Sequence, residues 1–162
     1  LGDTITIPKK GEKACTRQMI TAFDKYQRSI IAVERVPKHK IQDYGIIDGD
    51  RLDDGVYRIR DIVEKPALED APSDLGSIGR YVLRPEIFDH LRDAKPGYGG
   101  EIQLTDSLRL LRDSIGLITK CRRYDVGDKL GWMKSNIELS LEREDLGGDL
   151  RSFLKALLQD EL

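Results

Sequence analysis

The sequence predicts a layered α/β domain around a mixed sheet, and three observations carry that expectation. Segments rich in Ile and Val alternate with amphipathic segments, Gly and Pro mark most of the boundaries, and no stretch approaches the ~20 apolar residues of a membrane span. Thr16 to Tyr26 carries Met19, Ile20 and Phe23 at helical spacing, which predicts an amphipathic helix. Ser29 to Val36, rich in β-branched residues and closed by Pro37, predicts a buried strand. Tyr44 to Asp48 reads as a second strand. Gly49-Asp50 and Asp53-Asp54-Gly55 then supply turn chemistry before a third over Val56 to Val63, so pairing is antiparallel or mixed. Gly76 to Leu83 is the fourth strand, and Arg84-Pro85 opens a helix through Ile87, Phe88 and Leu91 with Pro in the favoured first position. Lys95 to Gly100 is loop by composition, and Leu104, Leu108 and Leu111 stripe the next helix. Gly116 to Tyr124 reads as one further strand, Lys129 to Leu141 as a helix, and Arg151 to Leu162 as the last helix, with Gly147-Gly148 between the two. Sheets of this kind place ligand sites at strand ends.

The composition narrows the function classes. Lys plus Arg number 27 against 29 Asp plus Glu, a formal charge of −2, so no large positive field attracts a nucleic acid. An apolar fraction of 39% and a charged fraction of 35% fit a soluble globular chain of one domain, residues 1–162. No basic region followed by an apolar run opens the chain, so a cytoplasmic protein without membrane partners is expected. The chain begins on Leu1 rather than Met, inside what reads as a structured segment, and this predicts a piece of a longer protein. Cys15 and Cys121 have no Cys-x-x-Cys spacing or nearby His and read as small buried hydrophobes. Lys9 to Lys13 reads as an exposed loop.

Three clusters put chemistry-bearing residues at strand ends. In Val63-Glu64-Lys65-Pro66 a strand delivers a carboxylate beside an ammonium and Pro66 stops it. The carboxylate can accept hydrogen bonds from two vicinal hydroxyls and the Lys can meet a phosphate, which suits a sugar phosphate; the alternative is a surface acid and base on opposite strand faces. In Tyr124-Asp125-Val126-Gly127-Asp128-Lys129, Asp128 reads as a helix N-cap with Gly127 allowing a tight approach to the helix. Asp125 stands between strand and cap, where a carboxylate can face a Mg²⁺ held together with substrate phosphates. The third cluster is Leu1-Gly2-Asp3, and two such acids on neighbouring strand ends would clamp Mg²⁺ with positions left open. Gly79 and Gly45 interrupt strand patterns, each marking either a bulge or a close approach of ligand to backbone.

Taken in order, Tyr44-Gly45-Ile46-Ile47-Asp48, Val63-Glu64-Lys65-Pro66, Ile78-Gly79-Arg80-Tyr81-Val82-Leu83, Gly100-Glu101-Ile102-Gln103-Leu104-Thr105-Asp106 and Asp125-Val126-Gly127-Asp128-Lys129-Leu130-Gly131 resemble the UTP-glucose-1-phosphate uridylyltransferases, also called UDP-glucose pyrophosphorylases. The resemblance is to the C-terminal portion of that family. It implies a Rossmann-like nucleotidyltransferase sandwich with a mixed sheet, C-terminal helices from about residue 129, and the reaction of UTP with glucose 1-phosphate to UDP-glucose and pyrophosphate. It further implies Mg²⁺ on Asp3 and Asp125, sugar hydroxyls on Glu64, sugar phosphate on Lys65, and Gly45 and Gly79 against the glucose ring with Arg80 and Tyr81 as neighbours. Lys65 and Asp125 would be the catalytic pair, and a homodimer or homotetramer is implied. The sister thymidylyltransferases share the Glu-Lys-Pro and the metal aspartates, and a non-catalytic sugar-phosphate-binding module is the alternative from another class. The sequence departs from the family at Asp128, where Asn is usual, and at Gly2, where Pro is common. The Gly-rich loop that cradles the triphosphate is absent from these residues, so the chain alone is expected to turn over little or nothing.

Overall fold

The computed structural model describes residues 2–96 and 100–160. The chain divides into two compact units, one formed by Pro8–Cys121 and the other by Leu1–Ile7 with Arg122–Leu162.

In Pro8–Cys121 the elements run α1 (Cys15–Tyr26), β2 (Ile30–Arg35), β3 (Gly45–Asp53), β4 (Val56–Glu64), β5 (Leu75–Val82), α2 (Ile87–Arg92), α3 (Leu104–Leu110) and β6 (Ile115–Ile118), following β1 (Thr4–Pro8). The five strands β2 to β6 close on themselves in the order β2-β5-β3-β4-β6. Only β2 with β6 is parallel, from Ile30 opposite Ile115 to Val33 opposite Ile118; the other pairs are antiparallel, so the sheet is mixed. Strand alternation divides the core. Ile31 and Val33 of β2 pack with Ile47, Ile59, Ile62 and Leu75 under α2 and α3, while Ile30 and Ala32 face Cys15, Met19 and Ala22 of α1. Each fully buried Ile or Val stabilises by about 1.5–3 kcal/mol relative to exposure, so this strand alone anchors both layers.

Several expectations change in detail. Helix α1 buries Cys15, Met19 and Ala22, whereas Ile20 is 38% exposed, because the face that meets the sheet runs through 15, 19 and 22. Gly49-Asp50 is no turn: β3 continues to Asp53 with register shifts at Asp48/Gly49 and Arg51/Asp53, and the reversal falls at Asp54-Gly55, with Gly55 at φ 68°. The segment read as one strand over Gly116 to Tyr124 is two, β6 and β7 (Cys121–Asp125), and they belong to different sheets. Of the expected Lys95 to Gly100 loop, residues 97–99 lie outside the described residues.

In the other unit β1 and β7 form a two-stranded sheet, followed by α4 (Lys129–Leu141) and α5 (Gly147–Asp160). Helix α4 has the expected bounds because Asp128 caps it, accepting from the Gly131 N–H at 2.8 Å. Helix α5 begins earlier than expected, since Gly147 and Gly148 are its first two residues rather than a separator. Cys15 is buried as expected, whereas Cys121, at the start of β7, is only half-buried. No helix among the described residues is long and apolar enough to cross a membrane.

Candidate functional site

The sugar-side residues of the sequence reading gather at one end of the barrel in Pro8–Cys121. Strand β4 ends on Glu64, which pairs with Gly45 at the start of β3. Lys65 follows at φ 44°, a left-handed conformation unusual for a residue with a Cβ, and its N–H donates to the Tyr44 carbonyl at 3.0 Å before buried Pro66. The exposed ammonium and the half-buried carboxylate therefore leave the strand from a fixed backbone. The Thr105 hydroxyl of α3 donates to Glu64 Oε2 at 2.6 Å, which orients that carboxylate and leaves Oε1 open to other donors. A Cβ on Gly45 would stand 3.1 Å from Glu64 Oε2 and 3.6 Å from Thr105 Oγ1, so a larger residue would crowd the acceptor.

Strand β5 brings the second half of this cluster. Between Ile31 and Val33 of β2 the partner register jumps from Tyr81 to Ser77, so Ile78, Gly79 and Arg80 oppose the single residue Ala32. Gly79 sits in that bulge at φ 69°, which settles the bulge reading for this glycine in physical terms. Beyond the bulge the Tyr81 hydroxyl meets Ser77 Oγ at 3.2 Å; burial pushes its phenol above the ordinary value, the Ser77 contact opposes this, and the Glu64 charge raises it again. Arg80 Nη1 donates to the Gly79 carbonyl at 3.2 Å. One clamp was not anticipated. Arg109 of α3 grips Asp61 of β4 through Nε at 2.7 Å and Nη2 at 3.0 Å, tying the helix that carries Thr105 to the strand that carries Glu64. Thr105 and Arg109 escaped the sequence reading because their partners lie 41 and 48 residues away, although Thr105 stands inside one of the motifs.

The two aspartates of the sequence reading come together in the other unit. Asp125 is the last residue of β7, and Asp3 lies just before β1. Val126 N–H donates to the Asp3 carbonyl at 2.8 Å, and Gly127 N–H to Asp125 Oδ1 at 3.1 Å. A Cβ on Gly127 would meet Asp3 Cβ at 3.2 Å, Asp125 Oδ1 at 3.4 Å and Asp3 Oδ2 at 3.7 Å. Gly127 thus serves space and not a left-handed turn: a side chain here would crowd both carboxylates, which would have to give by a few tenths of an ångström. Arg123 Nη1 lies 3.4 Å from Asp125 Oδ2 and holds the outer oxygen. Two hard carboxylate ligands fit Mg²⁺, which keeps several positions for water or phosphate. No group of three or more His, Cys, Asp or Glu gathers among the described residues.

Comparison with known proteins bears on what such residues serve. A Methanocaldococcus jannaschii protein provisionally named as a UTP-glucose-1-phosphate uridylyltransferase is 45% identical over 163 residues, covering 99% of this chain and 55% of that protein. The UTP-glucose-1-phosphate uridylyltransferase of Streptococcus pyogenes is 42% identical over 156 residues, 94% of this chain and 51% of its own length. A solved UDP-glucose pyrophosphorylase complexed with UDP-glucose superposes with a TM-score of 0.85 at 41% identity, over 88% of this chain and 55% of that one. The chain therefore spans about half the length of the curated relatives it matches. The family profile described as nucleotidyl transferase matches residues 12–143, and with the mixed α/β fold this places the chain: it belongs to the nucleotidyl transferase family.

Proposed function

We propose that the protein of which this chain forms part makes UDP-glucose and pyrophosphate from UTP and glucose 1-phosphate, and that residues 1–162 supply the sugar-holding and metal-holding part of one catalytic domain. The observation that carries this reading is the convergence of Glu64, Gly45, Thr105 and Tyr81 beside Lys65 at one barrel end of a nucleotidyl transferase. Glu64 accepts hydrogen bonds from sugar hydroxyls, with Gly45 and Gly79 leaving room for the ring and Arg80 and Tyr81 bordering it. Lys65 neutralises the sugar phosphate. Asp3 and Asp125 hold Mg²⁺, which when bound disperses charge on the phosphates. The glucose 1-phosphate oxygen attacks the α-phosphorus of UTP in line; the new P–O bond forms as the bond to the β-phosphate breaks, and pyrophosphate leaves. No protein nucleophile is required, because positioning and charge neutralisation carry such transfers.

A homodimer or homotetramer and a cytoplasmic setting complete the reading; free Cys15 and Cys121 fit a reducing compartment. The test is pyrophosphate release from UTP and glucose 1-phosphate by the full-length protein, with dTTP in a parallel arm. Asp125→Asn and Lys65→Ala are each expected to lower kcat/KM at least tenfold, about 1.4 kcal/mol. Near-normal kinetics in both variants would refute the assigned roles, and equal or better use of dTTP would move the protein to the thymidylyltransferases.

A further inference from the structure

A polar cavity of about 240 Å³ lies within Pro8–Cys121 away from the Glu64 end of the barrel. It is lined by Arg28, Ser29, Arg84, Glu86, His90 and Arg112, with Leu110 and Leu111 closing the remainder. These residues come from the turn before β2, the exit of β5, helix α2 and the turn before β6. Arg58 of β4 pairs with Ile115 at this edge, and Glu64 lies six residues further along β4, so about 20 Å of strand separates the two sites.

Three guanidinium groups meet one carboxylate here, a lining charge of +2 before His90 is considered. Glu86 Oε1 lies 3.0 Å from Arg84 Nε and so offsets only that arginine. Arg28 and Arg112 make no ion pair or side-chain hydrogen bond with any described residue. Ser29 is 4% exposed, and its hydroxyl oxygen accepts from the Arg84 N–H at 3.0 Å, which leaves the O–H proton available to an acceptor in the cavity. The Ser29 carbonyl accepts from Ile115 N–H at 2.8 Å, tying the two turns together. Both turns also hold a non-glycine residue in the left-handed region, Gln27 at φ 53° beside Arg28 and Asp113 at φ 60° beside Arg112; the remaining such residue among those described is Lys65. Arg28 and Arg112 bring like charge to one cavity, and an anion bound between them would offset their repulsion.

We propose that this cavity binds a phosphate dianion, at a site distinct from the sugar-holding edge. The planar forks of Arg28 and Arg112 suit bidentate contact with phosphate oxygens, and Ser29 supplies a further donor from a rigid, buried position. The ligand is either free inorganic phosphate or the phosphoryl group of an ester, and the volume admits one such group.

The test is calorimetric titration of the full-length protein with inorganic phosphate at low ionic strength, in a Lys65→Ala background that weakens the sugar edge, with sodium chloride at matched ionic strength as the control. One-to-one saturable binding is expected, weakened at least tenfold in Arg28→Gln/Arg112→Gln. Both arginines are exposed, so the fold is retained, and an unchanged melting temperature checks this. Backbone amide shifts of Ser29 and Ile115 on phosphate addition provide a second readout. A parallel arm with phenyl phosphate, an ester without the sugar hydroxyls that Glu64 would bind, separates the sources: tighter binding than phosphate assigns an ester, weaker binding assigns the free ion. Phosphate binding that survives Arg28→Gln/Arg112→Gln, or heats no different from chloride, overturns the site.

Discussion

At the scale of single residues, the candidate site depends on hydrogen bonds and vacancies that orient carboxylates. Thr105 spends its hydroxyl proton on Glu64 Oε2 at 2.6 Å, in a half-buried position where the bond holds one carboxylate rotamer. A neutral-to-charged hydrogen bond of this kind contributes about 1.5–3 kcal/mol. Thr105→Val, which keeps the shape, is expected to raise KM for glucose 1-phosphate about tenfold in steady-state kinetics of the full-length protein while Thr105→Ser stays near wild type. An unchanged KM in the valine variant would show that Glu64 needs no such support. Gly127→Ala tests the other cluster. Its Cβ would stand 3.2 Å from Asp3 Cβ, so one carboxylate must move by a few tenths of an ångström. Mn²⁺ affinity, read by electron paramagnetic resonance, is expected to fall three- to tenfold, about 0.7–1.4 kcal/mol.

At the scale of elements, the pairing of α3 with β4 carries a pH dependence. Arg109 beside Asp61 holds that carboxyl below its ordinary value of 3.8, first through the side-chain hydrogen bond, with burial opposing and the Ile62 N–H assisting. A carboxyl depressed in the folded state contributes stability that is complete above its unfolded value and is lost as pH falls through the folded value. Both side chains are more than a third exposed, at 47% and 39%, so screening keeps the contribution within about 1 kcal/mol. Melting temperatures of wild type and Asp61→Asn should therefore differ at pH 7 and converge as pH drops below about 4. A gap that persists at pH 2.5 would assign the effect to packing instead. The same scale explains why Gly116 to Tyr124 was read as one strand. β6 is apolar and β7 carries Arg122, Arg123 and Asp125, but Thr119 and Lys120 lie between the two, which join different sheets, and local β pattern carries no record of partner.

At the scale of the whole molecule, β2 is the element on which both core layers of Pro8–Cys121 depend. Ile31 is 0% exposed among β2–β6 residues and the α2–α3 layer, and Ile31→Ala is expected to cost about 2–5 kcal/mol, seen as a lower denaturant midpoint with unchanged slope. A loss below 1 kcal/mol would mean that the layer can collapse into the gap. The sequence by itself determined the α/β class, the bounds of α4 and the Asp128 cap, because side-chain periodicity and capping are local properties of the chain, and it left Gly79 open between a bulge and a close approach. Only the tertiary structure decided which of those residues meet. It placed Thr105 on Glu64 across 41 residues, Arg109 on Asp61 across 48, Tyr81 on Ser77 across a bulge, and Asp3 against Asp125 beside Gly127. Such contacts depend on strand register and sheet closure, which follow from how buried side chains pack in three dimensions and leave no fixed spacing along the sequence.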